Sequence, residues 1–169
     1  REEAVPGGSA TTERTAAGWL GAAPDDFVFA LKASERITHV DRLKHPADTL
    51  QLFLERARLV GTRLGPILFQ TPPTLRRDDD TLAAFVAALP TDVRCALEVR
   101  HPSFRTPDFI ALLAKYNVAV VCADHAEYPM IADVTSDFVY VRLQTGSDDV
   151  ATCYDEKRLD LWADRLKTW

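Results

Sequence analysis

The segment VRCALEVRHPSF, residues 93–104, has the pattern of a buried strand that ends in polar side chains. Its first half is mostly small and apolar, and Glu98, Arg100 and His101 then follow in close succession. Charged side chains are rarely buried unless they are paired, and ligands of parallel α/β proteins bind where the strands end. The segment therefore indicates both a parallel sheet and the edge of that sheet where a site is expected.

Four further apolar runs have a similar character. They are FVFALKA (27–33), PILFQTPP (66–73), VAVVCAD (118–124) and FVYVRLQ (138–144). Several are apolar on both faces, which is typical of a sheet covered on both sides. Helical patterns separate most of them, one expected to begin after Asp48 and another after Thr106, where a capping residue precedes a proline. This alternation predicts an α/β fold of five parallel strands and helices, with right-handed crossovers.

The composition is that of an ordinary globular protein. The 169 residues are 47% hydrophobic and 27% charged, with a formal net charge of -5. The acidic balance disfavours nucleic-acid binding, although a local basic cleft remains compatible with it, and no apolar run is long enough to cross a bilayer. Neither the G-x-G-x-x-G nor the Walker fingerprint occurs. The three cysteines lack paired spacing, so we expect free thiols, buried at Cys95 and Cys122, in a cytoplasmic protein.

Each of the five predicted strands ends in a polar side chain, on a face that otherwise carries small or apolar side chains. Side chains two positions apart share one face of a strand, and we expect the polar ones to converge on a cleft at the carboxyl ends. A ligand site and a structural network of ion pairs, such as Glu98–Arg142 or Lys32–Asp124, both stay open. The residues selected in this way are Lys32, Gln70, Glu98, Arg100, Asp124 and Arg142.

The order of several motifs resembles a known family. PDDFVFALKASERITH, DRL, LGPILFQTPP, ALEVRHPSF, CAD and DFVYVRL follow one another between residues 24 and 143. The series is similar to the YecE-like family, a family of unknown function with a TIM-type β/α barrel. The resemblance implies a partial barrel over residues 24–169 as a single domain, after an irregular or helical segment over residues 1–23. This chain has Phe104 where the family usually has tryptophan, and Gln144 where it usually has histidine.

The resemblance also implies that parts of the barrel are missing. The five strands would be the third to the seventh of eight, without the first two and the last, as in a fragment of a complete barrel. A five-stranded arc leaves two sheet edges without a partner. We expect the N-terminal residues 1–20, a second chain in a homo-oligomer, or a rearranged open sheet to cover these edges.

The first functional hypothesis is an enzyme that acts on a small anionic or phosphate-bearing substrate by acid/base chemistry. Cationic side chains would hold the anion, an acidic side chain would move a proton, and neutral polar groups would orient the substrate. The alternatives are a non-catalytic module that binds a metabolite or a partner in the same cleft, and a truncated barrel that retains no site. The candidates, all at family motif positions, are Lys32, His39, Gln70, Arg100 and Arg142 for substrate binding, and Glu98, Asp124 and His101 for catalysis.

The histidine and metal roles stay open at this stage. His101 precedes a proline and is expected just beyond its strand, where it either takes part in acid/base chemistry or braces the loop. His39 has the same two possible roles after the first strand. Glu98, Asp124 and both histidines are suitable metal ligands, but no HxH, HExxH or paired-cysteine spacing occurs, and neighbouring cations would oppose a metal. We therefore predict no metal site, and the sequence identifies no cofactor.

Overall fold

The strands form one parallel sheet. The computed structural model describes residues 12–169 of the chain. The five strands pair in the order β1-β2-β3-β4-β5, each parallel to its neighbours. They are β1 (Phe29–Lys32), β2 (Leu64–Gln70), β3 (Cys95–Glu98), β4 (Ala119–Asp124) and β5 (Tyr140–Leu143). The predicted α/β fold of five parallel strands alternating with helices is confirmed.

Helices precede the first strand and fill most connections. In the described range the α-helices are α1 (Glu13–Ala22), α2 (Pro46–Ala57), α3 (Asp79–Ala87), α4 (Pro107–Lys115) and α5 (Glu156–Thr168). The predicted cap of α4 is confirmed, because the Thr106 side chain accepts a hydrogen bond from the Phe109 N–H. The predicted start of α2 is wrong. This helix begins at Pro46, which suits the first turn, and Asp48 lies inside that turn near the positive end of the helix dipole.

Two apolar clusters lie on opposite faces of the sheet. The larger one joins the sheet to the helices and contains Phe69 and Phe85, whose rings meet edge to face with centres 5.4 Å apart. The smaller one, on the face we call inner, consists of Leu68, Ala96, Ala119, Val121 and Ala123, with Phe138 and Tyr140 packed against them. Direct register partners in neighbouring strands share a face, so the register decides which polar strand ends reach the inner face.

The segment before β1, which is predicted to be irregular or helical, contains the helix α1. Arg63 holds the end of this helix, because its guanidinium donates to the carbonyl oxygens of Leu20, Ala23 and Pro24. Residues 1–11 of that segment lie outside the described residues, and Thr12 caps α1. Across residues 12–169, no helix combines the length and the apolar content that a membrane span requires.

Candidate functional site

Glu98 lies at the centre of a polar network on the inner face. Its side chain is only 1% exposed, and both of its carboxylate oxygens accept hydrogen bonds from arginines. Arg100 Nε donates to Oε1 at 2.8 Å, and Arg142 Nη1 donates to Oε2 at 2.6 Å. The same Nη1 of Arg142 lies 3.1 Å from Gln70 Oε1, and Gln70 is the direct register partner of Glu98. We call Gln70, Glu98, Arg100 and Arg142 the Glu98 network; four of the predicted residues are thus brought together.

Arg100 has a defined orientation, and its two terminal nitrogens form an edge that donates to no acceptor within residues 12–169. Its Nε is bound to Glu98, and its guanidinium carbon lies 4.5 Å from the ring centre of Tyr128. The side chain is 16% exposed. Within residues 12–169, neither terminal nitrogen of Arg100 donates to a protein acceptor. The paired terminal N–H groups can therefore take an external oxyanion in the two-pronged manner that distinguishes arginine from lysine.

Lys32 and His39 lie on the same side of the sheet as Arg100. Lys32 ends β1 and pairs in register with Leu68 of the inner cluster, and His39 lies in the short π-helix Arg36–Val40 that follows β1. His39 Nδ1 is 2.8 Å from the Thr38 hydroxyl oxygen. Burial lowers the pKa of His39 below its ordinary 6.5; a nearby acid opposes this shift, and the charges of Lys32 and Arg100 reinforce it. The neutral imidazole is therefore favoured near two cations.

His101 braces the turn that follows β3. Its Nδ1 lies 2.9 Å from Ser103 Oγ and accepts the Ser103 backbone N–H at 3.1 Å. The Ser103 hydroxyl in turn accepts the backbone N–H of Arg77 at 2.8 Å. Because Nδ1 acts as an acceptor, the proton of neutral His101 resides on Nε2. These contacts match the loop-bracing alternative, and a catalytic role for His101 stays a prediction.

Asp124 does not join the Glu98 network, so its expected convergence with the other strand ends is wrong. The register pairs Ala123 with Arg142, and Ala123 belongs to the inner cluster. Successive side chains alternate between faces, which places Asp124 on the opposite face. The proposed Lys32–Asp124 pair is also wrong, because the Asp124 carboxylate pairs with Arg158 instead.

A second polar cluster therefore surrounds Asp124. Its Oδ2 accepts hydrogen bonds from Thr145 Oγ1 at 2.7 Å, Tyr154 OH at 3.0 Å and Arg158 Nη2 at 3.1 Å. The Tyr154 hydroxyl oxygen also accepts the Thr145 backbone N–H at 2.7 Å. We call Asp124, Thr145, Tyr154 and Arg158 the Asp124 cluster. It ties the connection after β5 and the start of α5 to the end of β4.

A hollow of about 370 Å³ opens between the two edge strands of the sheet. Val28 and Ala30 of β1 line one side, and residues 140–144 line the other. Arg142 belongs both to this wall and to the Glu98 network. We expected one hollow to gather five charged strand ends, but only Arg142 of that set lines this one.

Neither a group of metal ligands nor a buried reactive thiol is found among residues 12–169. Among residues 12–169, no three or more His, Cys, Asp or Glu side chains are grouped so that they could hold a metal ion. Cys95 and Cys122 are buried free thiols, as expected, and Cys153 is an exposed one. Burial, aided by the charge of Asp92, raises the pKa of Cys95 to about 12, and burial also raises the pKa of Cys122.

Comparison with known proteins places the chain in a family. A family model described as "Protein of unknown function DUF72" matches residues 9–169. The chain belongs to the DUF72 family. The YecE-like resemblance is confirmed, because this DUF72 chain is 34% identical over 87 residues to "UPF0759 protein YecE" of Escherichia coli K12 and of strain O157:H7. The match covers 51% of this chain but only 32% of the E. coli protein.

Solved structures of two other DUF72 family proteins share the fold. The protein from Thermotoga maritima has a TM-score of 0.77 at 19% identity, covering 98% of this chain and 70% of that chain. The protein from Enterococcus faecalis has a TM-score of 0.70 at 17% identity, covering 95% of this chain and 73% of that one. At such identities the likeness establishes only the fold. The sheet of this DUF72 chain is a partial β/α barrel, as predicted.

Sequence reasoning misses several residues around the two clusters of this DUF72 chain. Tyr128 lies in the connection over residues 125–139, which contains no helix and has no periodic pattern. Its one local signal is the aromatic-proline pair Tyr128-Pro129 shortly after the β4 strand exit. Thr145, Tyr154 and Arg158 are separated from Asp124 by 21 to 34 positions, and no motif connects them.

Proposed function

We propose that the carboxyl-end rim of the sheet binds a small anionic or phosphate-bearing molecule. The observation that carries the proposal is Arg100: Glu98 holds its Nε, and its terminal nitrogens have no protein acceptor within residues 12–169. An arginine fixed in this way binds an oxyanion without first losing the entropy of a mobile side chain. The proposal therefore assigns Arg100 as the main anion-binding residue.

The neighbouring side chains support a small ligand. Lys32 and His39 add a cation and a titratable imidazole beside Arg100, and Arg142 shares the Glu98 carboxylate. The formal net charge of -5 disfavours an extended polyanion such as DNA or RNA, which a broad basic face attracts. The proposed ligand class is therefore a metabolite-sized carboxylate or phosphate.

The hydrogen bonds that Glu98 accepts favour a role in ligand binding over a role in proton transfer for this carboxylate. Both oxygens already accept a bond from a guanidinium. Taking a proton from a substrate would break one of these bonds and leave a cation without its partner, which is costly for a buried pair. We therefore propose that Glu98 orients the two arginines, in a binding module for a metabolite.

A second candidate function is acid/base catalysis at the same rim, with His39 as the proton-transfer group. It is favoured by the lowered pKa of His39, which keeps the imidazole neutral and able to accept a proton near neutral pH. Asp124 has no part in this proposal, because its carboxylate is engaged in the Asp124 cluster. Loss of turnover in His39→Gln, with anion binding retained, is the expected result for any substrate found.

Binding of inorganic phosphate tests the main proposal. We expect a ³¹P NMR titration at constant ionic strength to give saturable binding to the unaltered protein. Arg100→Gln should weaken this binding by about tenfold or more, since each hydrogen bond to a charged group contributes about 1.5–3 kcal/mol. Arg94→Gln is the matched control, because Arg94 precedes the same strand and also lies over an aromatic ring, that of Phe138. Equal phosphate affinity in Arg100→Gln and Arg94→Gln would refute the proposal.

Self-association is proposed separately. Within the described sheet, β1 pairs on one side only, and an unpaired strand edge favours association with another chain. A second copy of this chain is the partner that we propose for this edge. Sedimentation velocity over a range of concentrations tests it, and a monomer at every concentration would contradict it.

A further inference from the structure

The connection between β4 and β5 places an aromatic ring against the proposed anion site. The guanidinium carbon of Arg100 lies 4.5 Å from the ring centre of Tyr128. The imidazole of His125 stacks on the same tyrosine, with ring centres 4.1 Å apart and planes inclined by 20°. One face of a phenol ring has no room for both groups at these distances. Tyr128 is therefore held between His125 on one face and Arg100 on the other.

The local backbone keeps this stack in place. His125 Nδ1 accepts the Glu127 backbone N–H at 3.1 Å, which fixes the imidazole within the turn that carries Tyr128. Tyr128 and His125 are both partly buried. The stack is thus a local feature of residues 125–128, and it meets the sheet through Arg100.

Arg100 needs two restraints to have one orientation. The hydrogen bond from Nε to Glu98 anchors one point of the guanidinium, but a single bond still allows the plane to tilt. A ring stacked on the guanidinium attracts the cation electrostatically and limits this tilt. Together, Glu98 and Tyr128 leave the edge formed by the two terminal nitrogens for an external acceptor.

We propose that Tyr128 is a positioning residue for the anion site, which fixes the guanidinium plane of Arg100 so that both terminal nitrogens reach one oxyanion. This inference rests on the proposed function of the rim. Tyr128 acts through its ring, and its hydroxyl has no part in the restraint. The role therefore requires an aromatic side chain at this position but not a tyrosine.

The experiment compares Tyr128→Phe with Tyr128→Leu. Phenylalanine retains the ring, and leucine retains apolar bulk without it. Tyr116→Leu is the matched control, because Tyr116 also lies beneath a cation, Lys115 at 5.3 Å, but at the end of α4. Inorganic phosphate is the probe, with affinity measured by ³¹P NMR and folding by thermal unfolding.

A second readout reports the orientation of Arg100 without any ligand. A guanidinium over an aromatic ring experiences a ring current, so the Arg100 Nε–Hε resonance should be shifted upfield in the unaltered protein. We expect this shift to persist in Tyr128→Phe and Tyr116→Leu and to disappear in Tyr128→Leu. We also expect Tyr128→Leu to weaken phosphate binding by about three- to tenfold, the scale of a partly desolvated cation–π contact, and the other two variants to bind as before.

The outcomes separate this inference from the proposed function. If Tyr128→Leu binds phosphate as tightly as the unaltered protein, or if Tyr128→Phe loses as much affinity as Tyr128→Leu, the positioning role is overturned and the anion site stands. If the unaltered protein shows the upfield Arg100 resonance but binds no phosphate, the proposed function is overturned. The positioning role then falls with it, although the stack itself is present.

Discussion

Replacing Glu98 by glutamine should destabilise the protein strongly. The substitution retains the volume and one carbonyl acceptor but removes the negative charge that two guanidiniums share at 2.8 and 2.6 Å. Each hydrogen bond to a charged partner contributes about 1.5–3 kcal/mol, and breaking a fully buried ion pair costs about 3–5 kcal/mol. The arginine side chains are 16% and 18% exposed, so water relieves part of this cost. We expect a loss of about 2–4 kcal/mol in the free energy of unfolding.

Urea unfolding followed by circular dichroism measures this loss. Glu55→Gln is the control, because Glu55 is an exposed carboxylate on α2 that accepts a single bond from Gln51, and surface substitutions of this kind change stability by about 0.5 kcal/mol or less. The m-value should be the same in all three proteins, since the surface exposed on unfolding is unchanged.

A double variant tests the assigned cause. In Glu98→Gln the two guanidiniums repel each other, so removing one of them by Arg100→Gln should recover part of the loss. The double variant should be more stable than the sum of the single effects by about 1 kcal/mol or more. A Glu98→Gln protein within about 1 kcal/mol of the unaltered one, or strictly additive effects, would refute the reasoning that one buried carboxylate holds both arginines.

Four further predictions concern groups other than the Glu98 carboxylate. Sulfate should bind more tightly as the pH falls below 6.5, because protonated His39 adds a positive charge to the rim, and His39→Gln should abolish this rise. The lowered pKa of His39 also means that the unfolded chain takes up the proton first. The free energy of unfolding should therefore decrease as the pH falls through 6.5 and the folded-state pKa of His39, which urea unfolding at several pH values can detect. Iodoacetamide at pH 8 should modify Cys153 and spare native Cys95 and Cys122, and mass spectrometry of the intact protein should show a single adduct. Asp124→Asn should lower the free energy of unfolding by about 1–3 kcal/mol and leave phosphate affinity unchanged; a large loss of affinity would contradict the separation of the two clusters.

The fold could be predicted because its signals are local in the sequence. Five apolar runs separated by helical patterns are sufficient to indicate parallel strands, and Thr106 marks the start of α4 by its own side chain. The face that a strand residue occupies is predictable only where polar and apolar residues alternate along the strand. β4 is apolar on both faces, so its sequence does not show which face Asp124 occupies, and the predicted face is wrong.

The second restraint on Arg100 could not be predicted for a different reason. Tyr128 follows Arg100 by many residues in an irregular connection, and only the packed structure brings its ring to the guanidinium. The alternation of side chains along a strand identifies those that share a sheet face, but it does not show which loop side chains lie above that face. The Glu98–Arg142 pair, in contrast, is one of the ion pairs that the sequence suggests, although Arg142 comes from a strand two places away in the sheet.

Arg100 and Arg158 both pair with a strand-end carboxylate, but they use their terminal nitrogens differently. Buried ion pairs are a poor source of stability, because well-packed apolar side chains of similar volume are often equally stable. In the Asp124 cluster, Arg158 uses both terminal nitrogens internally, one on the Thr145 carbonyl oxygen at 3.2 Å and the other on the Asp124 carboxylate at 3.1 Å. Arg100 is less exposed than Arg158, at 16% against 41%, and yet within residues 12–169 it uses only Nε. Arg100 is thus held at Nε by a buried carboxylate, while its terminal nitrogens donate to no acceptor within residues 12–169, which is the arrangement on which the proposed anion site rests.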